Sequence, residues 1–307
     1  MGARPVPYGR GTGVVRHIAD GATAVSVSPP PSPLPQAGGG VSAAIATAAA
    51  RFAFSTTPRL DAELLMAHAL GVERNAILLD PDRYAVPASF AALVARRLGH
   101  EPIAYITGTR GFWSIDVAVG PGALVPRADS ETLLIAAQAH FAGGAPATIL
   151  DLGTGPGTLL LAALDEWPAR GLGIDFSAEA LGYARANAAA LGMADRAQFL
   201  RGSWADAIEG RFDLILANPP YIGTAETLPP EVRDHEPHAA LFAGADGLDD
   251  YRILAAQLPA LIAPGGAAVI EIGATQAVPV SVLLEAEGLH VALHHDYGGN
   301  PRVLLAR

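Results

Sequence analysis

Cysteine is absent from this chain. That excludes a disulfide framework, a thiol nucleophile and a thiolate metal site. Long apolar runs are absent as well. Nothing approaches the ~18 consecutive apolar residues of a membrane helix, so no membrane association is expected. Positive charge is scarce, with 20 Lys and Arg against 30 Asp and Glu and a formal net charge of −10. Phosphate backbones need cations to neutralise them, so stable nucleic-acid binding is not expected. Arg96-Arg97 is the candidate for a local basic patch. The opening Met1-Gly2-Ala3-Arg4-Pro5 lacks the apolar core of a secretory signal, and Val6 stands where a myristoylation pattern needs Ser or Thr. A cytoplasmic protein is the expectation. Its 307 residues, half of them hydrophobic, leave room for a substantial core and two domains.

The most informative residues present are Asn218-Pro219-Pro220-Tyr221, which follow the apolar run Phe212-Asp213-Leu214-Ile215-Leu216-Ala217. Proline lacks a backbone N–H and has a fixed φ, so Pro219 and Pro220 end a strand and stiffen the loop after it. Open α/β sheets bind ligands at that carboxyl end. An Asn side-chain oxygen and a backbone carbonyl held there are two fixed acceptors, which suit the two donors of a planar –NH2 group. Tyr221 adds a flat face. The constellation suits chemistry on an amide or amino nitrogen.

A second motif lies upstream. Thr148-Ile149-Leu150-Asp151-Leu152 reads as a buried strand running into Gly153-Thr154-Gly155-Pro156-Gly157 and then a helix from Thr158. Glycines let a backbone approach a ligand closely, and a helix start offers free N–H groups. Asp175 ends the next strand, Gly171-Leu172-Gly173-Ile174, about 20 residues on, where an acid reaches ribose hydroxyls. Strand, glycine loop, helix, strand and acid make a nucleoside-binding half of a Rossmann-like sheet. The glycine spacing is not that of a dinucleotide site.

Together the motifs resemble the amino-group methyltransferases that use S-adenosyl-L-methionine, and more closely the release-factor glutamine methyltransferases, the PrmC/HemK family. The resemblance covers roughly residues 51–307. It includes Glu101 to Gly108, Leu124 to Glu131, Asp246 to Arg252, Glu271-Ile272-Gly273 and Asp296 to Arg302. The family usually reads Arg-Pro-Asp-Thr-Glu where this chain has Arg127-Ala128-Asp129-Ser130-Glu131, and Pro156 stands where a small polar residue is common. Pro156 takes one N–H donor from the cradle.

The resemblance implies an S-adenosyl-L-methionine-dependent protein-glutamine N-methyltransferase acting on the Gly-Gly-Gln glutamine of peptide chain release factors. It implies Asn218, Pro219, Pro220 and Tyr221 as catalytic residues. Gly153, Thr154, Gly155, Pro156, Gly157, Asp175, Trp204 and Asn218 are implied for the cofactor. The chemistry needs no metal, and a monomer is expected. Two alternatives stay open: another Asn-Pro-Pro-Tyr amino methyltransferase, acting on a ribosomal-protein glutamine or DNA adenine, and a non-catalytic nucleoside-binding protein. DNA adenine enzymes usually carry extra segments to read DNA and flip the base, and nothing basic or aromatic-rich stands beside the catalytic half.

Residues 1–40, rich in Gly, Pro and Ser, read as a disordered extension. Residues 41–100 read as a small helical domain. Leu60, Leu64, Leu65, Ala67 and His68 fall at helical steps, Thr56-Thr57-Pro58 is a start signal and Gly71 a stop; the resemblance implies that this domain docks the substrate. Residues 101–127 suit a β-hairpin linker, with glycine breaks at Gly108 and Gly111 and Phe112 and Trp113 as packing residues. From 128 to 307, strands alternate with helices, giving an α/β domain. Further strands are expected at 197–201, 267–272, 290–294 and 302–306. The resemblance implies a class I methyltransferase sheet of seven strands with the last antiparallel.

Other candidates carry less. An isolated Trp204 reads as a core aromatic, and only the family match of Gly202-Ser203-Trp204 makes it an adenine-edge contact. Asp206 reads as a solvated acid at a helix start. His68 reads as a helix residue. His235, Glu236 and His238 read as surface residues on a proline-broken loop, and His294-His295-Asp296 lacks any nucleophile motif to serve.

Overall fold

The computed structural model describes residues 40–206 and 208–307, all within one unit. The expected extension lies outside the described residues except for Gly40. Helices come first: α1 (Val41–Arg51), α2 (Pro58–Leu70), α3 (Arg74–Leu79) and α4 (Phe90–Leu98). Pro58 sits in the first turn of α2, and Gly71 closes it at φ +67, a left-handed cap that needs no Cβ. The helices bury Val41, Ile45, Ala62, Leu65, Met66, Phe90 and Val94. His68 is exposed.

The stretch expected to be a hairpin begins instead as a helix, α5 (Ile103–Thr107). Pro102 at its start supplies a helix-compatible φ, and Gly108 at φ +80 stops it. The hairpin itself is only β1 (Thr109–Phe112) and β2 (Ile115–Ala118). Gly111 does not break it; it pairs with Asp116 inside the ladder. Phe112 is buried and Trp113 half-buried against the core of the sheet.

Next come α6 (Glu131–Phe141), β3 (Thr148–Leu152), α7 (Thr158–Glu166), β4 (Arg170–Asp175), α8 (Ala178–Ala190), β5 (Ala197–Arg201) and β6 (Phe212–Ala217). The chain ends with α9 (Pro230–His235), α10 (Asp249–Leu261), β7 (Ile262–Glu271), α11 (Ala277–Ala286), β8 (Val291–His295) and β9 (Pro301–Ala306). Seven strands form one sheet in the order β5-β4-β3-β6-β7-β9-β8. The pairs among β3 to β7 are parallel, and β9 runs antiparallel to both neighbours.

Period-two alternation packs both faces. Ile149, Leu214, Leu216 and Val269 face one core with Leu133, Leu160 and Leu181 from α6, α7 and α8. Leu150, Leu152, Ile215 and Ile270 face the other, with Tyr251, Leu254, Val280 and Leu284 from α10 and α11.

The chain leaves β3 to build β4 and β5 on one side, then returns to place β6 on the other. Ligands of open α/β sheets sit at such a reversal, beyond the strands' carboxyl ends. The register is specific there. Leu152 pairs with Ile174 and with Ala217. Gly153, Asp175 and Asn218, the next residue on each strand, therefore leave the sheet side by side.

Candidate active site

A cavity of about 440 Å³ opens at this reversal. Gly153, Thr154, Gly155, Pro156, Asp175, Trp204, Asn218 and Pro220 line it. Gly157 does not; it caps α7 at φ +84, and a Cβ there would press on Ala184 at 3.3 Å, so it serves helix packing. The positive φ of Gly153 and Gly155 bends the loop tightly. A Cβ on Gly153 would come within 3.2 Å of the Trp204 ring. Trp204 thus lies against the glycine loop, its indole N–H donating to Asp250 Oδ1 at 3.2 Å.

The loop differs from the expectation of free donors. Gly153 N and Thr154 N both donate to the Ile174 carbonyl, Gly157 N to the Thr154 carbonyl, and Gly155 N to Asp175 Oδ2 at 2.8 Å. Pro156 has no N–H to give. The loop therefore offers shape and close approach rather than an anion cradle. Asp175 Oδ1 accepts from Ser177 N at 2.8 Å, so both carboxylate oxygens brace the backbone while the group faces the cavity. Burial pushes its carboxyl above the usual carboxylate range, against the pull of the N–H groups of Ser177, Gly155 and Phe176. Hydroxyl donors from a ligand would favour its ionised form.

Behind the loop, Asp151 is fully buried. Its Oδ2 accepts from Thr154 Oγ1 at 2.6 Å and from Leu160 N at 3.2 Å, while Oδ1 has no partner. Burial raises it to about 7, opposed by those two hydrogen bonds.

The Asn218 loop borders two cavities. Pro219 and Tyr221 line a neighbouring space of about 150 Å³ together with Glu271, Leu228 and Leu241. Asn218, Leu124, Arg127 and Ala240 line both spaces. Asn218 Nδ2 donates to Ser130 Oγ at 3.1 Å, and among the described residues its Oδ1 has no donor. Burial, then the nearby Glu271 carboxylate, push the Tyr221 hydroxyl above its ordinary range. Gln276 Nε2 holds the Tyr221 carbonyl at 3.0 Å and so fixes the end of the loop.

Known proteins are similar to this chain over most of its length. Residues 43–108 match the PrmC N-terminal domain and residues 145–276 a methyltransferase domain. The release factor glutamine methyltransferase of Rhodospirillum rubrum is 50% identical over 257 residues, covering 81% of this chain and 79% of that one. The protein of the same name from Caulobacter vibrioides is 42% identical over 256 residues, 81% of this chain and 89% of that one. This chain belongs to the release factor glutamine methyltransferase family. Among solved structures, a methyltransferase from Pyrococcus furiosus is similar at TM-score 0.49 and 19% identity, over 63% of this chain and 88% of that one.

Several residues around the site of this family member escaped the motif reading. Asn187 on α8 binds both the N–H and the carbonyl of Ala118 and the carbonyl of Pro156, tying the glycine loop to the hairpin. Phe176, directly after Asp175, is 55% exposed and lines the larger cavity. An apolar residue following a strand-end acid was its only signal.

Two surface expectations were wrong. Glu236 is buried, accepting from Val125 N at 3.2 Å and pairing with Arg127. Arg96-Arg97 makes no basic patch. Arg96 pairs with Glu101, and Arg97 is buried between Asp61 Oδ2 and Glu231 Oε2, each at 2.9 Å. Asp206 lies in a turn rather than at a helix start, and accepts from Gln257 at 2.7 Å.

Proposed function

We propose that this chain transfers a methyl group from S-adenosyl-L-methionine to the side-chain amide nitrogen of the glutamine in the Gly-Gly-Gln loop of peptide chain release factors. Family membership supports the reaction class. The observation that carries the assignment to this site is the position of Asn218, shared by two adjoining cavities, so a donor and an acceptor can meet at one side chain.

The larger cavity fits the cofactor. Its glycine loop allows close approach, its backbone N–H groups are already used, and its acid is an acceptor for sugar hydroxyls. A sulfonium nucleoside carries no phosphate, so it needs no anion cradle. Asp175 would hold the ribose, Gly153, Thr154, Gly155 and Pro156 would border the methionine part, and Trp204 would meet the adenine edge. Gly157 contributes only by holding α7. When bound, S-adenosyl-L-methionine supplies a methyl on a positively charged sulfur, which leaves readily.

The smaller cavity receives the glutamine. An amide nitrogen is a poor nucleophile because its lone pair is delocalised into the carbonyl. The residues here act by alignment and electrostatics. Asn218 Oδ1 and the Pro219 carbonyl accept the two amide N–H bonds, aiming the nitrogen and favouring the positive charge that grows on it. Tyr221 packs on the amide plane. Its hydroxyl, held neutral by burial, is no base for the amide. The proton leaves late, to water. Pro220 stiffens the loop from the cofactor side. Residues 41–100 dock the release factor, and the enzyme works as a cytoplasmic monomer without nucleic acid.

Mass spectrometry of the Gly-Gly-Gln peptide tests this. Release factor, ribosomes and DNA are each incubated with enzyme and labelled cofactor. One added methyl on that glutamine is expected. Label appearing in ribosomal protein or DNA, and none in the release factor, would overturn the substrate.

A further inference from the structure

We propose that Ser130 is a positioning residue that decides which end of the Asn218 amide faces the acceptor, and that Glu271 sets the direction of the Ser130 hydroxyl. The inference rests on the function above only in needing a planar nitrogen substrate at Asn218.

The two ends of an Asn side chain are nearly identical in shape, so the hydrogen-bond network alone selects between them. Asn218 cannot serve as an acceptor with its NH2 facing the substrate. Its neighbours forbid that orientation. Ala217 pairs with Ile270, so Asn218 and Glu271 follow paired residues on β6 and β7. Ser130, buried in the turn before α6, reaches both: it accepts from Asn218 Nδ2 at 3.1 Å, and its hydroxyl lies close enough to the Glu271 carboxylate to favour the ionised form.

A serine has one O–H to give, and an ionised carboxylate can only accept. The single O–H must go to Glu271. Ser130 then has only lone pairs for Asn218, so Nδ2 points at Ser130 and Oδ1 at the substrate. A protonated Glu271 reverses this logic. Its own O–H can donate to Ser130, the serine O–H is freed for Asn218 Oδ1, and the amide turns. NH2 then meets the N–H groups of the substrate, donor against donor. Ionised Glu271 is the working state.

The surroundings of Glu271 make that state sensitive to pH. Arg302 on β9 and Arg127 favour its charge, and Asp129 opposes it. Arg302 is shared with Asp296 and Asp129, which weakens its help. Tyr221 faces the carboxylate, and Tyr251 on α10 donates to the Glu271 main-chain carbonyl at 2.9 Å, not to the carboxylate. Glu271 Oε2 has no partner among the described residues. Burial therefore lifts the carboxyl to about 7, against the Ser130 hydrogen bond and the arginines.

The test is single-turnover methyl transfer against pH for the wild type, Ser130→Ala, Ser130→Thr and Glu271→Gln, with cofactor affinity measured alongside. The wild type should lose activity on the acid side of a midpoint near 7. Ser130→Ala should lower the plateau ~10-fold or more, the scale of one hydrogen bond to a buried polar group, and should remove that acid limb, with turnover falling more than cofactor affinity, since Ser130 also borders the larger cavity. Ser130→Thr, which keeps the hydroxyl, should restore both. Glu271→Gln can donate or accept, so it too should lose the acid limb.

A second readout is the Asn218 side-chain NH2 resonance. It should shift with Glu271 titration in the wild type and stay still in Ser130→Ala. Wild-type turnover in Ser130→Ala, or an acid limb that survives there, overturns the inference, and the Ser130 variants decide the matter even if Glu271→Gln fails to fold. A wild type inert on release factor but active on another amide or amine would fault the proposed function instead, and the same variants assayed on that substrate would still judge Ser130.

Discussion

Asp175→Ala probes two functions of one carboxylate. Its oxygens hold Gly155 N and Ser177 N at 2.8 Å each. A carboxylate has about four lone-pair positions, so two remain for a ligand's hydroxyls. Hydrogen bonds to a charged group contribute about 1.5–3 kcal/mol each, or roughly 10- to 150-fold in affinity. Loss of the ribose contact should weaken S-adenosyl-L-methionine binding by that factor. The loop loses its two braces at the same time, so melting temperature should fall as well. The fall should be smaller than two such bonds suggest, because burial already disfavours the ionised Asp175. Asp175→Asn separates the effects. It keeps one acceptor and turns an NH2 toward the other backbone N–H, so it strains the loop while retaining part of the ribose contact. Calorimetric titration with the cofactor, beside thermal unfolding of each variant, reads both quantities. Wild-type affinity in a folded Asp175→Ala would remove Asp175 from the site and refute the assignment of the larger cavity.

Other perturbations test neighbouring links. Asn218→Ala should cost ~10²–10³ in single-turnover methyl transfer, the usual loss for one preorganised polar contact, with cofactor affinity little changed; near-normal transfer would end the role assigned to that loop. Asn218→Asp keeps an acceptor but cannot donate to Ser130, and should retain more activity than Ala. Arg97→Ala takes the arginine from the buried Asp61, which keeps the Ser55 and Thr57 hydroxyls, and from the partly exposed Glu231; breaking a fully buried pair costs about 3–5 kcal/mol, so denaturant titration should show a loss below that range but clearly above zero, and a change near zero would mean that water and the hydroxyls satisfy the acids. Asp151 carries a pH signature. Its folded value of about 7 lies above the ordinary 3.8, so the folded state binds the proton more tightly and stability falls as pH rises between those values, by up to about 4 kcal/mol. Asp151→Asn should reduce that slope, leaving the part of the same sign that the raised Glu271 carboxyl contributes, and a wild type without any slope would contradict the burial argument.

The parts legible in the sequence are those whose physics is local. Pro219 and Pro220 end a strand wherever they stand, Gly71 caps a helix, and alternation in β3, β6 and β7 declares a sheet buried on both faces. The junction of Gly153, Asp175 and Asn218 could be anticipated because each ends a strand in a parallel sheet. Short segments resisted. Residues 103–107 form one helical turn between Pro102 and Gly108, too few for periodicity to separate helix from strand. The division of the Asn218 loop, with Pro220 on one cavity and Pro219 and Tyr221 on the other, depends on side chains turning opposite ways around a stiff backbone, and no spacing encodes that.

Buried charge was the least legible of all, because its partners are distant in the chain. Arg97 meets Glu231 across 134 positions and Arg127 meets Glu236 across 109. This changes the meaning of the net charge. Among the described residues Asp61, Glu63, Asp151, Asp175, Glu236 and Glu271 are buried, against Arg97 as the one buried cation. Burial brings Asp151 and Glu271 to half-protonation near neutral pH. Among the described residues the surface therefore shows fewer ionised carboxylates than a count of Asp and Glu implies. Arg96, Arg97, Arg127 and Arg302 are each bound to carboxylates of the same chain, so an anion at any of these four positions would have to displace that partner first.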